Sequence, residues 1–193
     1  MSKPLSPLHR ILNQLPGKTR AEIIGGQLIV QPPPAVRHNR VARKLSAQLD
    51  ARFGADDGSG GWVILLEPGV TIPVALRTSD EHEFVEPDLA GWRRTRMAEE
   101  PDVTFIDIAP DWVCEVLSGN AKHDRIVKAP LYAAMNVQHL WLIDPKALTL
   151  EVYTQRDRVY EQTLTARGAD MVRAAPFEEL ELSLATLWLK PPA

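Results

Sequence analysis

Apolar and polar positions divide the chain into two amphipathic helices near the N terminus, a hairpin between them and a strand-rich remainder. Apolar residues recur at helical spacing over residues 5–15, and at every fourth position over residues 35–53. Between these segments, residues 20–30 contain two β-branched runs on either side of Gly25-Gly26. This arrangement predicts a hairpin with a two-residue turn.

The remainder is predicted to consist mostly of strands, with one further helix. Strands are expected at residues 62–66, 70–74, 84–92, 111–118, 139–143, 148–154 and 159–165. Residues 122–135 have a helical pattern in which Pro130 is expected to cause a break or kink. The order of helix, hairpin, helix, strands, helix and strands predicts an α/β fold with a mixed β-sheet flanked by helices.

The length of the chain, 193 residues, fits a single domain. We expect this domain to span residues 1–193, with the N-terminal helix and hairpin over about residues 5–31 and the core over about residues 35–190. No apolar run approaches the ~20 residues needed to cross a bilayer, and the first residues lack the apolar core of a secretory signal. These features predict a cytoplasmic protein with no membrane partner.

Charge and cysteine content exclude several classes of protein. The chain has 22 basic and 25 acidic residues, a net charge of -3 and a pI near 6.0. This balance argues against a constitutively basic nucleic-acid binder, whose pI usually exceeds about 9. It leaves room for an enzyme that meets nucleic acid through one local basic face and a metal ion. The single cysteine, Cys114, rules out an intrachain disulfide and a CxxC-type zinc site.

Two carboxylates interrupt segments that are otherwise apolar. Glu115 lies in the apolar run of residues 113–117, and Asp88 directly precedes Leu89-Ala90. A buried carboxylate is costly unless it is paired, protonated or bound to a metal. Two neighbouring strands could bring these residues side by side and form an oxygen-rich site suited to Mg²⁺ or Mn²⁺. One such carboxylate alone would more often cap a turn or bind an arginine. The metal hypothesis therefore rests on the presence of both Asp88 and Glu115.

Polar residues that follow the Glu115 strand are candidates to complete such a site. Lys128, on the next predicted helix, could orient a metal-bound water and stabilise charge on a phosphodiester. The ordinary alternative is a solvated helix lysine, and Lys122 competes for the same role. Ser118, at the end of the strand, could bond either the backbone or the metal shell, and we favour the backbone.

A basic face lies at the start of the second helix. It consists of Arg37, His38, Arg40, Arg43 and Lys44. Such a face can contact a phosphate backbone, although it is more often simply solvated; Arg37, Arg40 and Lys44 are the candidate nucleic-acid contacts. The chain has no HExxH, GxxxxGK[ST] or GxSxG motif, so zinc hydrolase, P-loop NTPase and serine hydrolase assignments lack support.

Several short segments, taken in their order along the chain, match the pattern of a known family. They cover residues 22–28, 34–38, 67–70, 87–90, 115–118, 124–128, 140–145, 148–153 and 176–188. In this order they resemble the Uma-type restriction endonuclease family of bacteria, a branch of the PD-(D/E)xK nuclease superfamily. The resemblance extends over about residues 21–188.

The resemblance implies a restriction-endonuclease-like core and a metal-dependent nuclease. Asp88 matches the motif aspartate, and Glu115 matches the glutamate that follows it. Lys128 matches the motif lysine, which this family carries on the next helix. Accessory positions near the site are matched by Glu22, His38 and Glu67.

Three features depart from the family pattern. The hairpin has Gly25 and Gln27 where the family has Asp and Glu. Residues 118–120 are Ser-Gly-Asn in place of Ser-Pro-Ser, and the segment of residues 115–128 is about one residue shorter than in the family.

These observations leave three functions to compare. In the first, Asp88 and Glu115 bind Mg²⁺ or Mn²⁺, Lys128 helps to position water, and a phosphodiester bond of DNA is hydrolysed, with a homodimer compatible with duplex cleavage. The second is a catalytically degenerate nuclease-fold module that binds nucleic acid or a protein partner, which the acidic pI and the altered hairpin favour. The third is a phosphohydrolase that uses the same ions on small nucleotides.

Overall fold

The computed structural model describes residues 7–17, 19–55, 61–119 and 121–189. Residues 5 and 6 of the predicted N-terminal helix, and residue 190 at the end of the predicted core, lie outside these ranges.

The described helices are short except for α2. They are α1 (Pro7–Leu12), α2 (Val36–Phe53), α3 (Ala121–His123) and α4 (Ala129–Ala134), with a π-helical turn at Asp124–Lys128 and 3₁₀ turns at Val74–Leu76 and Leu184–Thr186. None of the described helices is long and apolar enough to cross a membrane.

Strands make up most of the regular structure. They are β1 (Ala21–Ile24), β2 (Gln27–Val30), β3 (Trp62–Leu66), β4 (Gly69–Thr71), β5 (Phe84–Val85), β6 (Leu89–Arg93), β7 (Phe105–Ile106), β8 (Trp112–Val116), β9 (His139–Asp144), β10 (Thr149–Arg156), β11 (Val159–Arg167), β12 (Met171–Val172) and β13 (Leu182–Ser183).

Most strands belong to two sheets. The larger has the order β11-β10-β9-β8-β6-β3 and is mixed, because β8 and β9 run parallel while the other neighbouring pairs are antiparallel. The smaller has the order β2-β1-β5-β4-β7, and β12 pairs with β13 in a separate ribbon. The predicted α/β fold with a mixed sheet is therefore confirmed, and β8 occupies an interior position in the larger sheet.

The predicted hairpin is present, but it belongs to a sheet. Gly25 and Gly26 have φ values of 62° and 70°, which a two-residue hairpin turn of this kind requires and which glycine adopts without strain. β1 pairs with β5 as well as with β2, so the hairpin forms one edge of the smaller sheet.

Two predicted strands are interrupted by proline. The prediction of one strand over residues 84–92 was wrong: β5 and β6 lie in different sheets, separated by Glu86, Pro87 and Asp88. Proline cannot donate to a strand ladder and fixes its own φ, so the chain leaves one sheet here and enters the other. Likewise, the strand predicted over residues 70–74 stops at β4, before Pro73 and a 3₁₀ turn.

Apolar side chains pack on both faces of β8, and all five of its residues are buried. Trp112, Cys114 and Val116 belong to one cluster, which includes the inner face of α2. Val113 belongs to a second cluster with Leu117 and residues of α4. Because alternate residues of a strand face opposite sides, Glu115 projects into the second cluster.

The helix predicted over residues 122–135 contains the irregularity expected near Pro130. The backbone N–H of Ala129 donates to the carbonyl oxygen of Asp124, an i to i−5 bond of π-helical type. Pro130 follows directly in the first turn of α4, where a missing N–H costs little. The wide turn ends at Lys128.

Candidate functional site

Asp88 directly precedes β6, Glu115 lies in the neighbouring strand β8, and both line one pocket. Leu89 pairs with Cys114 in antiparallel register, so the adjacent residues Asp88 and Glu115 are opposite each other. The backbone N–H of Val116 donates to Oδ2 of Asp88 over 2.7 Å. The pocket has a volume of about 150 Å³. The structure thus brings the two predicted carboxylates together.

Asp88 is buried, and both of its oxygens have partners. Arg20 Nη1 lies 2.8 Å from Oδ1, and His38 Nε2 lies 3.1 Å from Oδ2. Burial by itself would raise the pKa of Asp88. The hydrogen bond and charge of His38, together with the charges of Arg20 and Lys128, outweigh burial and hold this pKa below its usual value.

Lys128 is only 2% exposed and binds two carboxylates. Its Nζ lies 2.7 Å from Oε1 of Glu115 and 2.9 Å from Oε1 of Glu22, and it donates to the backbone oxygen of Glu86 over 3.3 Å. Burial by itself would lower the pKa of Lys128, but the charges of Glu115, Glu22, Asp124 and Asp88 together outweigh it and raise the pKa well above its usual value. Lys128 is therefore a fixed buried cation. The segment between Glu115 and Lys128, although shorter than in the family, is long enough for Lys128 to reach Glu115.

Glu115 is held by a second group from the same helical region. The hydroxyl of Tyr132 donates to Oε1 of Glu115 over 2.5 Å. Oε2 takes part in none of the hydrogen bonds or ion pairs among the described residues. Burial raises the pKa of Glu115 to about 8; Lys128 opposes this shift and Asp88 adds to it.

Glu22 connects the smaller sheet to the site. This buried residue of β1 accepts hydrogen bonds from Nε2 of Gln31 over 3.1 Å and from the backbone N–H of Glu86 over 2.8 Å. Burial by itself would raise the pKa of Glu22, but the charge of Lys128 and the hydrogen bonds from His123, Lys128 and the Glu86 N–H together outweigh it, and the pKa falls to about 2. The side chain of Glu86 differs: its burial raises its pKa to about 7 despite the nearby Arg20.

The remaining predicted site residues lie at the edge of the pocket or outside it. Glu67 is half-exposed, with Oε1 3.4 Å from Nη1 of Arg20. Ser118 lines the pocket. Lys122, the alternative lysine, is exposed and does not line it. Of the two candidate lysines, the structure places Lys128 at the centre.

The predicted nucleic-acid contacts of α2 differ in their surroundings. Arg37 is exposed and lines a pocket that adjoins the first. Arg40 donates from Nε to the backbone oxygen of Trp188 over 2.7 Å, which ties α2 to the C-terminal segment. Lys44 is half-buried and lines neither pocket. Of the three predicted nucleic-acid contacts, the structure places Arg37 alone beside these two pockets.

The altered hairpin turn is held by an acid from elsewhere in the chain. The backbone N–H groups of Gly25 and Gly26 donate to the carboxylate of Glu83 over 2.9 and 3.0 Å. Gly25 and Gln27 do not line the pocket. The absence of acidic side chains at these two positions therefore removes no ligand from the candidate site.

The residues of the site that are absent from the sequence prediction include Asp124, which lines the pocket, and three others: Arg20, Glu86 and Tyr132. Arg20 stands two residues before Glu22, and positions i and i+2 of an extended segment share a face. Tyr132 stands four residues after Lys128, the spacing at which helical side chains are neighbours. These spacings could have identified two of the three, whereas no comparable signal marks Glu86.

The donors at the pocket fit a small divalent cation. Within the described parts of the chain, no group of three or more His, Cys, Asp or Glu side chains is arranged to hold a metal. However, Mg²⁺ is usually bound in proteins through one or two carboxylates and several waters, and Asp88 and Glu115 can supply these. The carboxylates at or beside the pocket are Glu22, Glu86, Asp88, Glu115 and Asp124. They outnumber the fixed cations, Arg20 and Lys128, so a further positive charge is electrostatically favourable here.

The fold is similar to that of a solved structure. A crystal structure described as "a putative nuclease" from Anabaena variabilis matches with a TM-score of 0.71 and 23% sequence identity, covering 95% of this chain and 97% of that chain. At this identity the match shows a shared α/β fold. No curated protein matches the chain.

The sequence identifies the family within this fold class. The model of the Uma2 family, described as "Putative restriction endonuclease", matches residues 8–186. The chain belongs to the Uma2 family, and the resemblance found in the sequence segments is confirmed. Membership of this family supports a nuclease, that is, a hydrolase whose substrate is a nucleic acid.

Proposed function

We propose that the protein is a metal-dependent endonuclease that hydrolyses phosphodiester bonds in DNA. The observation that carries this proposal is the meeting of Asp88, Glu115 and Lys128 in one pocket, on two neighbouring strands and the helical segment that follows them. Asp88 and Glu115 are the residues that would hold Mg²⁺ or Mn²⁺. The bound ion would supply activation of water and neutralisation of charge on the phosphodiester.

Side chains of the protein hold the charged groups of the site in fixed positions. Lys128 places a buried positive charge against Glu115, where it can stabilise negative charge that develops on a substrate phosphate. Tyr132 and Lys128 both bind Oε1 of Glu115 and so fix the carboxyl orientation. His38 and Arg20 fix Asp88 in the same way. Fixed partners of this kind hold a site in its productive geometry.

The test is cleavage of supercoiled and linear DNA by purified protein in Mg²⁺, in Mn²⁺ and in EDTA. We expect cleavage in either ion and none in EDTA. Glu115→Gln and Asp88→Asn should each reduce the rate by at least ~100-fold, since each removes a charge that holds the ion. Glu179→Gln is the matched control, because Glu179 is an exposed carboxylate paired with Arg52 away from the pocket. Cleavage that survives Glu115→Gln would reject this site.

A second function is favoured by one specific observation: both oxygens of Asp88 are already bonded by protein groups. A site saturated in this way fits a nuclease-fold module that binds nucleic acid or a protein partner without cutting. Calorimetric titration with Mn²⁺ separates the two functions. Heat of binding that Asp88→Asn abolishes supports the enzyme, and its absence in the unaltered protein supports the module. Including small nucleotides as substrates in the cleavage assay tests the phosphohydrolase alternative.

A further inference from the structure

A second pocket adjoins the candidate site at the N terminus of α2. It has a volume of about 380 Å³. His38, Ser118 and Gly119 line both pockets, whereas Arg37 and Lys146 line the second and not the first. The two pockets therefore form parts of one cleft, with His38 at their boundary.

The two pockets differ in the balance of acidic and basic side chains that line them. In the first, carboxylates exceed fixed cations, as described above. In the second, Arg37 and Lys146 face a single acid, Asp144. Oδ1 of Asp144 accepts hydrogen bonds from the backbone N–H groups of Lys146 and Ala147 over 2.8 and 2.9 Å. Asp144 thereby fixes the turn between β9 and β10, and this turn presents Lys146 to the second pocket.

The N terminus of α2 adds to the positive character of the second pocket. This 18-residue helix has Ala35 at its N-cap with no side-chain capping bond, and its first turn has no acidic residue. First-turn N–H groups lack intrahelical acceptors, and the helix dipole makes this end positive. His38, in the same turn, is 4% exposed, and its Nδ1 has no hydrogen-bond partner among the described residues. Such helix ends bind phosphate groups.

We propose that the second pocket binds the DNA backbone phosphate next to the scissile phosphodiester, through Arg37, Lys146 and the first-turn N–H groups of α2. This inference rests on the proposed function, because the first pocket must hold the scissile bond. A phosphodiester chain presents a negative charge at every nucleotide. One phosphate would then lie at the first pocket, where Asp88 and Glu115 would hold the ion, and the next would lie at the second pocket against Arg37 and Lys146.

The arginines of α2 differ in what they contact, and only Arg37 lines the second pocket. Arg40 is bonded to the backbone oxygens of Trp188 and Thr186, over 2.7 and 3.4 Å, so it anchors the C-terminal segment. Arg43 is exposed on the same helix and does not line the second pocket. It is therefore the matched control for Arg37: the same residue type, on the same helix, with the same loss of charge on substitution.

The experiment measures DNA binding as a function of salt. A short fluorescein-labelled DNA duplex is titrated in Mg²⁺ with protein carrying Glu115→Gln, which blocks cleavage under the proposed function. In this background we compare Arg37→Gln, Lys146→Gln, both together, and Arg43→Gln. Removing one cation that binds a phosphate should reduce the slope of log affinity against log salt by about 1. We expect this reduction for each of the first two substitutions, a sum for the double variant, and no change for Arg43→Gln.

The outcomes separate this inference from the proposed function. Slopes for Arg37→Gln and Lys146→Gln equal to that of Arg43→Gln would overturn the phosphate subsite, even if the unaltered protein cuts DNA. A failure to bind the duplex would overturn it as well. Reduced slopes in a protein that never cuts DNA would support the subsite while rejecting the nuclease activity.

Discussion

The two faces of β8 have opposite kinds of environment although they belong to one five-residue strand. On one face, Trp112 packs edge-to-face against Phe177 with ring centroids 5.1 Å apart, in an apolar cluster. On the other, Glu115 is bonded to Lys128 and Tyr132 in a buried polar network. The residues of both faces are buried, but the first face gains stability from apolar burial, whereas on the second face the cost of burying charged groups reduces that gain.

This difference determines how substitutions on each face change the free energy of unfolding. An apolar face loses free energy in proportion to the volume removed. A buried charged face loses it when one partner is removed, because the other charge is then left without compensation. Substitutions on the first face should change stability and spare function, while substitutions on the second should change both.

The largest loss of stability is expected for Trp112→Ala. This side chain is fully buried, and its removal should lower the free energy of unfolding by about 4 kcal/mol. Urea unfolding followed by fluorescence measures this change. Trp112→Phe is the control, since it keeps an aromatic ring and removes a buried indole N–H that has no hydrogen-bond partner among the residues that the structure describes. If the folded Trp112→Ala variant also loses Mn²⁺ binding, the apolar face of β8 contributes to function as well as to stability, contrary to this expectation.

A slightly smaller loss is expected for Lys128→Met, together with loss of cleavage. Removing the ammonium leaves Glu115 and Glu22 without their buried cation, at a cost of about 3 kcal/mol. Glu115 limits the cost because its pKa, already about 8, allows it to take up a proton. Adding Glu115→Gln to Lys128→Met should restore roughly 1 kcal/mol without restoring cleavage. Additive losses in this double variant would show that the two residues do not interact.

The smallest effect is expected for Tyr132→Phe. The change keeps the ring in the second apolar cluster and removes the hydroxyl bonded to Glu115. A buried hydrogen bond contributes about 1–2 kcal/mol, so the free energy of unfolding should fall by that amount or less. If Tyr132 positions Glu115, the rate constant for cleavage should fall while the apparent affinity for DNA stays constant. A fall in affinity alone would assign Tyr132 to packing.

Much of the fold could be predicted because local patterns determine it. The spacing of apolar residues in α2 and the glycine pair of the hairpin were sufficient, since each records a local backbone geometry. The division of residues 84–92 between two sheets was not predictable in the same way. Proline signals an interruption there, but the partner strands of β5 and β6 are set by contacts distant in sequence.

The site could be predicted only as far as charges stand out from their surroundings. Glu115 and Asp88 interrupt apolar runs, so the sequence marks them. Arg20 and Glu86 lie in ordinary polar contexts, and only tertiary packing places them at the pocket. Arg40 shows the converse limit: its position on a basic face indicated nucleic acid, whereas its guanidinium is bonded to the C-terminal backbone.

The ion pair between Glu22 and Lys128 has a consequence for how the site is assembled. Glu22 belongs to the smaller sheet, and Lys128 follows β8 of the larger one. The larger sheet alone brings Asp88 and Glu115 together, because the register of β6 and β8 places them opposite each other. The carboxylate of Glu22 reaches Lys128 only where the two sheets meet. A substitution that loosens this contact between the sheets would therefore leave Lys128 with one carboxylate partner in place of two.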